Sequence, residues 1–221
     1  MTLIHKNEVI VFDLDDLLYK EFDFVRSGFW TIALLVSKDQ AKSVFKAMMV
    51  EYFSDRPVFN WLCNKYFNGR SEYTVEKLLN IYRTHIPNIE LSQEVAGVLT
   101  QLKKQGNKLG LITDGRTRTQ RNKIKALKLS NWINDMLISE EFGYKKPSPQ
   151  PFKYFMEKYP GERYVYLADN VNKDFVTPNR LGWRTIALAD NGLNIHNSQS
   201  NLEPVFYPQE SIYSFSELKP G

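Results

Sequence analysis

The stretch VIVFDLDDLLYK, Val9 to Lys20, runs four apolar residues into three carboxylates, Asp13, Asp15 and Asp16, and then returns to apolar residues. An apolar run without polar alternation reads as a strand covered on both faces. Carboxylates at its end are costly, since two of them about 4 Å apart repel by roughly 4 kcal/mol at an effective dielectric near 20. A folded chain offsets that with a proton, a cation or a reaction that uses the charge.

Four further runs share the pattern: LGLIT (Leu109–Thr113), DMLIS (Asp135–Ser139), YVYLA (Tyr164–Ala168) and TIALA (Thr185–Ala189). Helical segments lie between them. SQEVAGVLTQLKKQG opens on Ser92 as N-cap and stops at Gly106; TRTQRNKIKALKLS, PQPFKYFMEKYPG and NKDFVTPNRLG follow. Strand–helix alternation predicts an α/β fold, a Rossmann-like open parallel sheet with helices on both faces. Between the first two strands a simple crossover needs one helix, yet four helical segments rich in aromatic residues stand there. The expected organisation is an α/β core at 1–19 and 89–221, with an all-helical subdomain, its aromatic residues mostly in its core, inserted at 20–88. The polar stretch Asp190–Pro204 reads as a loose loop ahead of a last edge strand near SIYSF.

Hydrophobic residues at 43% and charged residues at 24% suit a soluble globular chain able to bury a core. The net charge of +4 is compatible with an anionic small substrate and is too mild for a dedicated nucleic-acid binder. A single cysteine, Cys63, excludes an internal disulfide and a cysteine metal cluster and is expected to be buried packing. His5, His85 and His196 are too scattered to form a ligand set and are expected to be structural or solvent-facing. The N-terminus lacks the pattern of a signal peptide, and FWTIALLV is too short to span a bilayer. A cytoplasmic protein with no membrane or nucleic-acid partner is the expectation, with a monomer as the default oligomeric state.

Ligands of open parallel sheets bind beyond the carboxyl ends of the strands. There the sequence places Asp13, Asp15 and Asp16, then Thr113-Asp114-Gly115-Arg116, then Asp169-Asn170 with Asp174 five residues on from Asp169; Lys145 and Lys146 precede the helix after the third strand. In an extended segment Asp13 and Asp15 point to the same side and, with Asp169, are expected to form a cluster of hard oxygen ligands of the kind Mg²⁺ takes together with water and phosphate oxygens. A carboxylate beside such a cation can attack phosphorus. Lys146, Thr113 and the Asp114-Gly115 backbone are of the types that stabilise a transferring phosphoryl group.

DxDxx after the first strand, Thr-Asp-Gly after the second, Lys-Pro before a helix and Asp-x4-Asp after the fourth strand together resemble the four motifs of the haloacid dehalogenase superfamily. The resemblance runs from about Val9 to Ala189, and the helical insert resembles that superfamily's cap. It implies a phosphatase with Asp13 as nucleophile and Asp15 as general acid and then base, Asp15 also lending its backbone carbonyl to Mg²⁺. Thr113, Asp114, Gly115 and Lys146 would hold the phosphoryl group; Asp13, Asp15, Asp169 and Asp174 would form or brace the metal site. A carboxylate at Asp15 favours phosphate chemistry, since the dehalogenating branch lacks one there. Leu17 stands where the family often has Thr, and Ala168 where Gly is common. Of the tandem lysines, Lys146 is favoured by its contact with Pro147 in sequence.

The expected activity is Mg²⁺-dependent hydrolysis of a small phosphorylated metabolite, such as a sugar phosphate or nucleotide, with a cap restricting what fits. A phosphosugar mutase or other phosphotransferase is the alternative within enzymes. A catalytically silent binding protein is disfavoured by the intact acidic set, and a response-regulator module by the order of its Asp and Thr. Asp16 reads as a turn-forming or solvent-facing carboxylate, Asn170 equally as a turn or an orienting residue, and the Asp114 side chain as incidental. The run RTRTQRNKIKALK, with Arg116, Arg118, Arg121, Lys123, Lys125 and Lys128, reads as a solvated helix face. Arg116, Arg26 and Ser27 are weaker candidates for substrate contacts.

Overall fold

The computed structural model of the chain describes residues 1–67, 73–192, 194–195 and 201–221. His196 and part of the 190–204 loop lie outside the described residues, as does the start of the fourth helical segment of the insert at 71–72. In chain order, β1 (Thr2–Ile4) and β2 (Glu8–Phe12) precede the helices α1 (Glu21–Val36), α2 (Ala41–Phe53), α3 (Val58–Leu62, continued by a wide turn, Cys63–Phe67) and α4 (Val75–Thr84). Then come α5 (Gln93–Gln105), β3 (Lys108–Thr113), α6 (Thr117–Ala126), β4 (Asp135–Ile138), α7 (Ser139–Phe142) and α8 (Gln150–Lys158). The chain ends with β5 (Arg163–Ala168), α9 (Val176–Arg180), β6 (Arg184–Leu188), β7 (Glu210–Ile212) and β8 (Leu218–Pro220). It divides into two compact units, Met1–Phe22 with Glu90–Gly221, and Asp23–Ile89.

The first unit is built on a six-stranded sheet of order β4-β3-β2-β5-β6-β7, every pair parallel. From β2 the chain steps one way to β3 and β4, then crosses to the other side of β2 for β5, β6 and β7. The reversal falls between β2 and β5, and a crevice opens at such a switch point beyond the strand ends. Asp13 follows β2 there and Asp169 follows β5. All five residues of β2 are buried, as a strand covered on both faces requires. A second, two-stranded parallel sheet pairs β1 with β8 and was not foreseen from the sequence.

Val9, Val11, Ile112, Phe152, Phe155, Tyr166 and Trp183 pack into one buried cluster. Each fully buried large apolar side chain of this kind is worth about 1.5–3 kcal/mol. Phe155 reaches the sheet because Gly110 lies beneath it: a Cβ built on Gly110 would stand 2.3 Å from the Phe155 ring. The helix signals hold locally. Ser92 accepts the Val95 N–H at α5, and a left-handed Gly106 closes that helix.

The second unit is helical, α2 to α4 and all but the first two residues of α1, around Phe24, Phe29, Ile32, Val44, Met48, Leu62 and Leu78. Its aromatic residues are divided: Phe24, Phe29 and Phe67 are buried, whereas Trp30 and Phe53 are exposed. The Ser27 hydroxyl is engaged inside this unit, accepting the Asn88 N–H at 2.8 Å and lying 3.1 Å from His85 Nε2. His85 is thereby structural. Arg26 is exposed and pairs with Asp23 at 3.2 Å. Cys63 is half-buried, not fully buried as expected, and its thiol lies 3.5 Å from the Tyr73 carbonyl.

Candidate active site

Asp13 receives the Leu14 N–H on Oδ1 at 2.8 Å, and its Oδ2 lies 2.8 Å from Lys146 Nζ. Lys146 Nζ also stands 2.8 Å from Asp174 Oδ1 and donates to the Tyr166 hydroxyl at 3.1 Å. Lys145, its neighbour, is exposed. Asp13, Asp169 and Asp174 each offer an oxygen within 4.8 Å of the others'. Burial pushes the Asp13 carboxyl up to about 6; Lys146 works against this and Asp174 adds to it. Burial, reinforced by Asp13 and Asp174, pushes Asp169 up to about 8. Burial works against the charged form of Lys146 too, but the facing carboxylates outweigh it and raise its pKa well above the usual value.

Asp15 is turned to a different set of partners. Its Oδ1 accepts from the Tyr19 hydroxyl at 2.5 Å and from Lys123 Nζ at 2.7 Å, and its Oδ2 accepts from Gln120 Nε2 at 3.0 Å. Its side chain is therefore not part of the Asp13–Asp169–Asp174 group, contrary to its expected place among the metal-binding carboxylates. Burial disfavours its charge, yet Lys123, Tyr19 and Gln120 together hold the carboxyl below its usual value.

Lys123 corrects the reading of the basic helix as a solvated face. Arg116, Arg118, Arg121, Lys125 and Lys128 are exposed, but Lys123 is only 3% exposed and ion-paired to Asp15. Gln120 is buried as well. Gln120, Lys123, Ile124 and Leu127 follow the spacing i, i+3, i+4, i+7, the stripe of a helix that faces inward. A polar amide and a lysine on the same stripe as two apolar residues were the available signal.

Thr113, at the end of β3, is buried and its Oγ1 accepts from Gln120 Nε2 at 2.6 Å. The Asp114 side chain is not incidental: Oδ1 accepts the Lys146 backbone N–H at 3.1 Å and Oδ2 lies 3.5 Å from Lys173 Nζ. Gly115 has φ +149°, a conformation that favours glycine, but its N–H is taken by Ser139 Oγ at 3.0 Å. Asp16 is a buried turn former with φ +56° that accepts the Glu21 and Ile195 N–H groups. Asn170 does both things weighed for it: its Oδ1 closes a turn onto the Asn172 N–H, and its own N–H orients Asp174. The described part of the 190–204 loop is anchored, since Asn194 donates to Asp169 Oδ2 at 3.1 Å and accepts from Lys20.

These residues enclose a cavity of about 100 Å³ lined by Asp13, Asp15, Asp16, Glu21, Thr113, Asp114, Asp169, Asn170 and Lys173. Gly115, Arg116, Lys146 and Asp174 are not among them.

The haloacid dehalogenase-like hydrolase family model matches residues 10–188, a span that runs from β2 through β6 and contains every residue of this cavity. The chain belongs to the haloacid dehalogenase-like hydrolases. Relatives of this hydrolase include the glyceraldehyde 3-phosphate phosphatase of Methanocaldococcus jannaschii, 26% identical over 95% of this chain and 94% of the relative. The pyrophosphatase PpaX of Bacillus cereus is 25% identical over 83% and 84% of the two chains. Among solved structures, YfnB of Bacillus subtilis, crystallised with magnesium, shares the fold with a TM-score of 0.61 at 17% identity, covering 95% and 96% of the two chains. Hydrolases of this family generally use Mg²⁺. Among the described residues, no helix is long and apolar enough to cross a membrane.

The donor set of this hydrolase fits a hard divalent cation. Six carboxylates border one small cavity, and the carboxyls of Asp13 and Asp169 are both raised by burial, with Asp174 adding to each and Asp13 adding to Asp169. Lys146 balances part of that charge from behind; a cation in front of Asp13 and Asp169 would balance more.

Proposed function

We propose that this hydrolase is a Mg²⁺-dependent phosphomonoesterase that forms an aspartyl-phosphate on Asp13 and acts on a small phosphorylated metabolite. The observation that carries the reading is the meeting of Asp13, Asp169 and Asp174 around the buried Lys146 at the sheet's switch point. Asp13 and Asp169, with the Asp15 carbonyl, would hold Mg²⁺, which supplies positive charge to the phosphoryl oxygens. Asp174 is fully buried and braces the site through Lys146.

An Asp13 carboxyl with a pKa of about 6 is largely ionised at neutral pH, as a nucleophile requires. It attacks phosphorus, the ester P–O bond breaks, and the leaving oxygen takes the proton carried by Asp15. Water then gives a proton back to Asp15 and attacks the same phosphorus, releasing Asp13 and inorganic phosphate. Lys123 favours the charged form of Asp15, suited to that second step. An incoming phosphate dianion pushes Asp15 the other way, toward the protonated form needed in the first step. Thr113 offers a donor to the transferring oxygens, where charge spreads in the transition state, and Lys146, whose N–H groups face Asp13, Asp174 and Tyr166, supplies positive charge from behind Asp13.

A triose phosphate is the first substrate to test, because the relative matched over 95% of this chain is a glyceraldehyde 3-phosphate phosphatase. The deciding experiment compares wild-type protein with Asp13→Asn on p-nitrophenyl phosphate and on phosphorylated three-carbon compounds. Turnover by the wild type, trapped acyl phosphate on Asp13 and no turnover by the variant are expected. Appreciable activity in the folded variant would overturn the nucleophile assignment. Phosphate transferred to a sugar hydroxyl in place of water would identify a phosphotransferase.

A further inference from the structure

Ile124 of helix α6 and Leu127 at its C-cap are buried, and position 123 lies on the same inward stripe. The chain buries a lysine there, a choice that costs desolvation and calls for specific partners. Those partners are Asp15 Oδ1 at 2.7 Å and Glu21 Oε1 at 3.5 Å. One turn earlier, Gln120 Nε2 reaches both Asp15 Oδ2 at 3.0 Å and Thr113 Oγ1 at 2.6 Å. A carboxylate only accepts, so its contact with Gln120 fixes which end of the amide faces it. The Thr113 oxygen then accepts from the same nitrogen, which leaves the single Thr113 hydroxyl proton to be donated elsewhere, and Thr113 lines the cavity.

We infer that Lys123 and Gln120 are positioning residues: α6 clamps the Asp15 carboxylate from both oxygens and turns the Thr113 hydroxyl toward the phosphoryl group. The inference rests on the phosphatase reading, in which Asp15 passes a proton to the leaving oxygen. A misplaced Asp15 slows esters in proportion to how much their leaving group needs that proton.

The test compares p-nitrophenyl phosphate, whose phenolate leaves readily without a proton, with phenyl phosphate, whose phenolate does not. The quantity read is kcat/KM, which stops at phosphoenzyme formation and excludes the later hydrolysis. Lys123→Met is expected to lower kcat/KM on phenyl phosphate roughly tenfold more than on p-nitrophenyl phosphate. Lys123→Arg is expected to recover most of the difference. Gln120→Leu, which removes no charge, is expected to show the same bias toward the better leaving group. Lys123→Met leaves Asp15 and Glu21 without their shared cation, so the charge-balanced K123M/E21Q variant carries the same comparison if the single variant does not fold. Equal losses on both esters in these variants would make α6 a structural support only and overturn the inference while the phosphatase reading stands. Wild-type protein that turns over neither ester sinks both.

Discussion

The ammonium of Lys146 and the carboxylate of Asp174 meet at 2.8 Å with almost no exposure of either side chain to solvent. Removing one member of such a pair leaves the other charge buried and only partly compensated, a loss of about 3–5 kcal/mol in comparable cases. Asp174→Ala is therefore expected to lower unfolding stability by about 3 kcal/mol. Urea denaturation at neutral pH, with an unchanged slope, checks this. A change within 1 kcal/mol, on the order of a surface substitution, would mean that Asp13 alone satisfies Lys146.

Asp169, with its carboxyl pushed up to about 8, is mostly protonated at neutral pH before any metal binds. A cation has to displace that proton, so Mg²⁺ affinity is expected to weaken as pH falls below about 8 and to level off above it. Calorimetry in buffers of different ionisation enthalpy reads the proton release directly. Affinity independent of pH from 6 to 9, a span of roughly three units around that value, would argue against Asp169 as a ligand.

The contact between Gly110 and Phe155 is close enough to predict from geometry alone. An added methyl at 110 stands 2.3 Å from the ring, so Phe155 must leave its place in the core. Overpacking of this kind costs about 1–3 kcal/mol. Gly110→Ala is expected to lower the melting temperature while leaving KM for p-nitrophenyl phosphate unchanged, because neither Gly110 nor Phe155 lines the cavity.

The five central strands were legible because parallel strands buried on both faces leave unbroken apolar runs, each ending where polar residues begin. That pattern also located Asp13, Thr113 and Asp169 at one end of the sheet. The β1–β8 pair was not legible: each strand is three residues long, and β8 ends in Pro220. Direction of side chains was the other gap. Asp13 and Asp15 are two residues apart, yet one side chain meets Lys146 and the other α6. The sequence shows a Lys in a basic run but not that the helix is rotated to bury it. Local hydrogen bonds decide the rest, as at Gly115, whose N–H serves Ser139 and not the cavity.

Lys145 and Lys146 are identical in chemistry and adjacent in sequence, and the fold separates them. Lys146 is 3% exposed and reaches Asp13, Asp174 and Tyr166, whereas Lys145 faces solvent. The backbone N–H of Lys146 is also held by Asp114, so its position is set at both ends of the side chain. If a preorganised cation beside the nucleophile stabilises the transferring phosphoryl group, losing it costs about 10²–10³ in kcat, the scale of deleting one fixed donor from a transition-state site. Lys146→Met is expected to show that loss, and Lys145→Met to keep kcat within about twofold, since exposed charges are screened by water and salt. Both are read on p-nitrophenyl phosphate at saturating substrate, with circular dichroism confirming the fold. Comparable losses in the two variants would mean that bulk positive charge near the site, and not the buried ion pair with Asp13, supports the reaction.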